Sequence, residues 1–321
     1  MRAVQATALT GPDGLRLVEA PEPDGRDRVL VDVLYAGVSF PDLLRTRGRY
    51  QVRQQLPFVP GAEAAGIVRS APQASGFQPG ERVAVIAEGT WQEVVAVDPA
   101  LVFPVPGPVP LSTAAGIPLN YFTAHCALVR RARAEPGETV LVHGAAGGVG
   151  SAVLGLCRAL GLRAIAVVSN GAKGEFAHAA GASDVVHGED WADEVRALTA
   201  GRGVDVVVDP VGGDRFTDCL RVLAPEGRVV VLGFAAGRIP AVQVNRLLLR
   251  NATVMGAGWG EIVPREPAYP GAQWTELSAL LADGRLVVPK PEVLPLPEAP
   301  EALHRLETRT AMGKTVLDAT R

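Results

Sequence analysis

Residues 139–161, TVLVHGAAGGVGSAVLGLCRALG, constrain the fold more than any other stretch. A short apolar strand runs into Gly144-x-x-Gly147-x-x-Gly150, and a helix-length segment follows from about residue 148 until Gly161 ends it. Glycines at this spacing allow a tight turn and bring backbone N–H groups to a helix N-terminus, where the dipole favours a phosphate. The spacing differs from GxGxxG, so the motif by itself also permits a plain glycine-rich turn. The sequence after it narrows the choice. Apolar runs at 162–168, 184–187, 204–209 and 228–232 alternate with helix-length segments at about 173–180, 190–200 and 214–223. VDVVVD and RVVVL are apolar on both faces, as parallel strands covered by helices must be. The pattern predicts an α/β, doubly wound parallel-sheet domain.

Before residue 117 the rhythm is different. Short strands at 28–34, 63–69, 81–86 and 91–97 are parted by Pro and Gly, which predicts a small, irregular β-rich unit. The PVPGPVP run at 104–110 suits neither a helix nor an interior strand and marks the exit from that unit. After residue 270 come helices near 273–283 and 298–307 and a last strand at 314–318. That tail is too short to fold alone and is expected to return to the first unit. The expected division is therefore 1–117 completed by 270–321, with 118–269 inserted as the nucleotide-binding domain.

Charge excludes one large class of function. With 31 basic against 34 acidic residues the chain lacks the positive excess that gripping nucleic acid requires. Three scattered cysteines, Cys126, Cys157 and Cys219, make neither a disulfide framework nor a four-cysteine zinc site, and a reducing cytoplasm is the expected location. The N-terminus lacks the apolar core of a signal peptide, and the longest hydrophobic tract, 149–168, is interrupted by Arg158 and Arg163. No membrane association is expected.

The cofactor preference is read after the second strand of the α/β domain. An NAD site places an acid there for the ribose 2′-hydroxyl. This chain has VVSNGAK instead: Ser169 and Asn170 offer neutral donors and Lys173 a positive charge. These suit a 2′-phosphate, so NADPH is expected over NADH. A solvated lysine at a helix start is the alternative role for Lys173.

Several blocks, in one order along nearly the whole chain, carry a family resemblance: GVSFPDLLRTRGRYQ (37–51), LPFVPGAEAAGIV (56–68), IPLNYFTAHCAL (117–128), the glycine loop, VDVVVDPVGGDRF (204–216), RVVVLGFAAG (228–237) and GKTVL (313–317). The chain resembles the zinc-independent medium-chain reductases of the quinone oxidoreductase, or zeta-crystallin, type. The resemblance implies a GroES-like β-rich catalytic domain and a Rossmann domain that binds NADPH. It also implies that Asn120, Tyr121 and Thr123 lie beside the nicotinamide, with Gly144, Ala146, Gly147, Gly148, Val149 and Gly150 under the pyrophosphate. Gly212, Gly233, Phe234 and Ala235 match loops that contact ribose and nicotinamide, and Gly258 and Trp259 would close over the amide. Plain turns and core packing remain open for the glycines and for Trp259.

Zinc-holding relatives carry Gly-His-Glu where this chain reads Gly61-Ala62-Glu63. His125 and Cys126 are adjacent on a helix and diverge, so each of the five histidines reads as structural and no metal is expected. Where the family reads Asn-Phe this chain has Ser39-Phe40, and the family's pocket tyrosine falls on Leu44. His187 stands where an aromatic wall for the adenine is usual. Phe40, Leu43 and Leu44 are the expected pocket lining. Tyr50 is the one candidate catalytic side chain, as a hydrogen-bond donor to the acceptor oxygen or as a pocket wall.

Three activities fit these residues. The first is NADPH-dependent reduction of a quinone, whose reduced oxygens take protons from solvent. The second is NADPH-dependent reduction of an enoyl or alkenal C=C bond, and the third is a non-catalytic NADPH-binding structural protein. A homodimer is expected through strands near Thr253–Trp259, where an exposed sheet edge needs cover.

Overall fold

The computed structural model describes residues 1–321. The chain first forms β1 (Arg2–Ala6), β2 (Leu15–Glu19), β3 (Val29–Val38), α1 (Phe40–Thr46), β4 (Glu63–Ser70), β5 (Arg82–Ile86), β6 (Val94–Val97), β7 (Val102–Pro104) and α2 (Leu111–Ala114). It continues through α3 (Pro118–His125), β8 (Thr139–Val142), α4 (Gly148–Ala159), β9 (Arg163–Val168), α5 (Gly171–Ala180), β10 (Asp184–His187), α6 (Trp191–Leu198) and β11 (Val204–Asp209). Next come α7 (Phe216–Arg221), β12 (Leu223–Val231), α8 (Asn245–Arg250), β13 (Thr253–Gly256) and α9 (Trp259–Ile262). The chain ends with α10 (Tyr269–Ala282), β14 (Glu292–Pro295), α11 (Ala299–Glu307) and β15 (Thr315–Asp318). Two compact units result: Met1–Leu119 with Pro267–Ala282 and Pro289–Arg321, and Asn120–Glu266 with Asp283–Val288. The dividing lines fall two or three residues from the expected 117 and 270, and 283–288 packs with the second unit.

In the first unit a seven-stranded sheet runs β14-β15-β3-β4-β5-β7, with β6 also paired to β3. β3 reaches Val38, four residues past the end its sequence suggests. Tyr35 to Val38 have no continuous apolar pattern, yet β15 pairs antiparallel with them and satisfies their backbone groups. Val29, Val31, Val33, Ala36 and Val38 of β3 enter a core shared with Leu303 of α11 and Leu317 of β15, so the C-terminal segment completes this sheet. The β1–β2 pair and α1 lie outside the sequence expectation. α1 is set by a capping box in which Asp42 Oδ2 accepts from Ser39 N–H at 2.8 Å and Ser39 Oγ–H at 2.5 Å.

The second unit is an α/β fold built on a six-stranded parallel sheet, order β10-β9-β8-β11-β12-β13. All residues of β8 and β11 are buried, as strands covered on both faces require. α4 buries every side from Gly150 to Cys157. The strand order reverses between β8 and β11, each of which is followed by a glycine loop at its carboxyl end. In open α/β sheets that is where ligands bind. α3 passes without a break into a π-helical stretch, Cys126–Ala132, that the sequence pattern does not announce.

Trp91 tests the packing of the first unit. It is fully buried, and its indole N–H donates to the Gly37 carbonyl at 3.0 Å. Trp91→Ala removes the core volume and leaves that carbonyl without its donor. Stability should fall by about 3–5 kcal/mol, read as a lower urea midpoint at unchanged slope.

Candidate functional site at the carboxyl edge of the parallel sheet

Six strands of the second unit deliver six loops to one edge of its sheet, and the residues singled out for cofactor binding in this unit, other than those of α3, lie in them. The glycine loop follows β8, Ser169 to Lys173 follow β9, and His187 ends β10. Gly212 follows β11, Gly233 to Ala235 follow β12, and Gly258 and Trp259 follow β13. One edge thus collects segments spread over more than 110 residues of chain because parallel strands all point the same way.

The loop after β8 folds back on itself. Gly147 N–H donates to Gly144 O at 2.9 Å, and α4 starts at once with Gly147 as its N-cap and no side chain capping it. A Cβ at Gly150 would overlap the Gly144 carbonyl, so the close approach of helix to loop requires glycine. The uncapped first turn leaves N–H groups free to receive an anion. Asn120 reaches this turn from α3: its Nδ2 lies 2.9 Å from where a Cβ of Gly148 would stand. Asn120 is buried and Thr123 half-buried.

Tyr121 does not join them. Its side chain packs into the interior with the hydroxyl beside Gly155, nearly two turns down α4 from the loop. That hydroxyl is buried without a hydrogen-bond partner, and burial pushes its pKa far up, with Arg158 opposing. The placement assigns Tyr121 to the core of this unit rather than to the nicotinamide. Adjacent residues of a helix point about 100° apart, so Asn120 and Tyr121 cannot both face the loop.

After β9 the chain turns on Asn170, whose Oδ1 accepts from Lys173 N–H at 3.0 Å and caps α5. Asn170 therefore has a structural task, and α5 begins two residues before the sequence suggests. Ser169 and Asn170 are exposed and Lys173 is half-buried. His187 comes within 3.1 Å of a Cβ position at Gly174, against the first turns of the same helix. No carboxylate occurs from 169 to 173.

Asp209 at the end of β11 is buried and was not singled out from the sequence. Its Oδ1 accepts from Val211 N–H at 2.8 Å and Gly212 N–H at 3.0 Å, holding the turn that presents Gly212. The next loop is stitched to it: Ala235 N–H donates to Pro210 O and Ala236 N–H to Val211 O. Phe234 remains exposed and lies against Gly212. Trp259 is buried and stacks on Phe122, ring centroids 5.7 Å apart.

In the first unit, Leu43 is buried in the sheet core and so is not free pocket lining, because α1 turns that face inward. Phe40 packs partly against the same core and Leu44 is half-buried. The half-buried Tyr50 ring lies under the Arg45 guanidinium, 4.9 Å from its centroid.

His143, directly before the glycine loop, is fully enclosed. It meets Trp191 edge-on at 4.7 Å, and its Nε2 lies 3.4 Å from Cys219 Sγ. Burial pushes its pKa down to about 4, with the Asp209 carboxylate opposing and Arg215 adding to the drop. Cys219 is pushed well above the ordinary thiol range by burial, so it is an inert thiol. In the unfolded chain His143 takes a proton near pH 6.5, but in the folded chain only near pH 4. Stability is then lost as the pH falls through that window and is constant above it. Urea unfolding at pH 7.5 and pH 4.5 should show His143→Gln losing about 2–3 kcal/mol less than the parent between the two.

Residues 25–107 match the model of the alcohol dehydrogenase GroES-like domain, and residues 148–282 match that of the zinc-binding dehydrogenases. The chain is 36% identical over 321 residues to quinone oxidoreductase-like protein 2 of Rattus norvegicus, covering 98% of this chain and 91% of that one. A solved structure from Mycobacterium abscessus is 43% identical, with a TM-score of 0.89 and coverage of 99% of this chain and 98% of that one. The quinone oxidoreductase of Thermus thermophilus, solved also with NADPH, is 33% identical with a TM-score of 0.86, over 99% of this chain and all of that one. With its GroES-like β-rich unit, its Rossmann-like sheet and this similarity from end to end, the chain belongs to the quinone-oxidoreductase-like family of medium-chain dehydrogenase/reductases.

Proposed function

We propose that this protein uses NADPH to reduce a quinone, with no resident metal. The carboxyl edge of the parallel sheet carries the reading: an uncapped helix start at the glycine loop, and a neutral-to-positive turn after β9. The first suits a pyrophosphate, and the second suits a 2′-phosphate and lacks the acid that a 2′-hydroxyl requires. The NADPH complex of the Thermus thermophilus relative supports the same cofactor.

Bound NADPH supplies the hydride. The residues of this chain bind and orient. N–H groups at Ala146 and at Gly148 to Gly150 would hold the pyrophosphate, and Ser169, Asn170 and Lys173 the 2′-phosphate, with His187 toward the adenosine. Asn120 and Thr123 would stand beside the nicotinamide, and the loops of Gly212 and of Gly233, Phe234 and Ala235 would contact the ribose and nicotinamide. Gly258 and Trp259 would close over the amide. Phe40, Leu44 and Tyr50 serve the acceptor, with the Tyr50 hydroxyl as the hydrogen-bond donor to its oxygen. A quinone needs nothing stronger, because its reduced oxygens take protons from water.

The proposal of no resident metal rests on the residues present. No three His, Cys, Asp or Glu side chains come together as a metal site, and Ala62 occupies the position of the histidine in zinc-holding relatives. No helix is long and apolar enough to cross a membrane. We also propose a homodimer that pairs β13, the sheet edge, with its counterpart. Ile239, Val244, Leu248 and Leu249, in the segment that leads into β13, are 73–80% exposed, more apolar surface than a monomer gains by showing.

The decisive experiment follows loss of reduced-cofactor absorbance with 1,4-benzoquinone, 9,10-phenanthrenequinone or a crotonyl thioester. Quinone-dependent oxidation that prefers NADPH to NADH is the expected result. Turnover of the thioester alone would assign the C=C reduction, and binding without turnover would assign the non-catalytic role. Lys173→Ala should raise KM for NADPH about 10-fold and leave that for NADH unchanged, matching the ~1.4 kcal/mol of one charge-assisted phosphate contact. Leu248→Glu combined with Leu249→Glu should yield a monomer by light scattering with NADPH binding retained.

A further inference from the structure

Two carboxylates of the first unit, Asp42 and Glu63, are fully buried. Asp42 is consumed by local structure: it caps α1 through Ser39, and its Oδ1 accepts from Gly61 N–H at 3.2 Å. Glu63 is used differently. One oxygen pairs with Lys314 Nζ, and Oε2 accepts from Leu119 N–H at 2.8 Å.

Leu119 lies in the first turn of α3, where backbone N–H groups have no acceptor within the helix. A buried carboxylate there satisfies an orphan donor and meets the positive end of the helix dipole. Leu119 is also the residue before Asn120, whose amide lies against Gly148 of the glycine loop. The sequence makes room for this arrangement: a Cβ at Gly37 would come within 2.6 Å of Glu63 Cγ, and one at Gly116 within 2.6 Å of Lys314 Cγ. Burial pushes the Glu63 carboxyl up, and Lys314, first among the opposing groups, favours the carboxylate. A buried ion pair adds little stability over apolar residues of the same volume. Its geometry is therefore the part that calls for a role.

We infer that the Lys314–Glu63 pair is a positioning device, which pins the first turn of α3 through the Leu119 N–H and so holds Asn120 at the cofactor. Glu63 and Lys314 are positioning residues and touch no substrate. The inference rests on the cofactor reading proposed above for Asn120.

Two double variants separate the anchor from the charge. Glu63→Leu with Lys314→Met keeps the volume and removes the acceptor for Leu119. Glu63→Gln with Lys314→Met also removes both charges but keeps a side-chain oxygen at the same reach. Two readouts apply: NADPH titration by protein fluorescence, and amide hydrogen exchange of the 116–123 segment without cofactor. The Leu/Met protein should bind NADPH at least 5-fold more weakly and exchange Leu119 and Asn120 at least 10-fold faster, while the Gln/Met protein recovers most of both. Unchanged exchange in the Leu/Met protein overturns the inference, as does equal loss in both variants. Should the Leu/Met protein fail to fold, Glu63→Asp keeps the charge but falls one methylene short of Leu119, and wild-type exchange in it overturns the inference equally. A parent protein that bound no NADPH would refute the cofactor reading alone, because exchange decides the anchoring independently.

Discussion

The contact between the first turn of α4 and the Gly144 carbonyl governs the second unit. Only a residue without a Cβ fits at Gly150, and the fit lets the helix start directly against the end of β8. Moving α4 outward by the width of a methyl group would open the core around Val153, Leu154 and Leu156, all of which are fully buried. The same contact starts α4 at the sheet edge with no side chain capping its first turn. The packing of α4 and its uncapped start are therefore one constraint here.

The other loops are held by backbone groups and short side chains. Asp209 fixes the turn after β11, Asn170 the start of α5, and main-chain bonds stitch 235–236 to 210–211. Each device uses the end of a strand as its fixed point, so the precision of the edge derives from the sheet ladder. In the turn after β9 the one charged side chain from 169 to 173 is Lys173, which is why the proposed choice between a phosphate and a hydroxyl on the ribose is assigned to it.

What the sequence disclosed and what it hid follow from the range of the interactions. The glycine loop and the strands of the parallel sheet are local patterns: 3.6-residue and two-face apolar periodicity, with glycine punctuation. They were legible to within a few residues. β3 beyond Leu34 was not, because its partner β15 lies some 280 residues away. Tyr121 could not be oriented from a motif that names three residues of one helix, since a motif records identity and not the direction of the side chain. His143, Cys219 and Asp209 were hidden for a related reason: they meet only after β8, β11 and α7 have packed. The capping box at Ser39 and Asp42 has the S-x-x-D spacing of a helix start, and that signal could have found α1.

The polar groups of the corner around Gly61-Ala62-Glu63 satisfy one another. Both Glu63 oxygens are engaged, one by Lys314 and one by Leu119, and both Asp42 oxygens by Ser39 and Gly61. A divalent ion entering here would have to displace a buried ammonium or strip acceptors from buried N–H groups, and each such loss costs about 1–3 kcal/mol. Ala62 offers no ligand in return. The polar groups of this corner are spent on holding the backbone in place, which fits the proposed hydride transfer, a reaction that demands fixed geometry and exclusion of water.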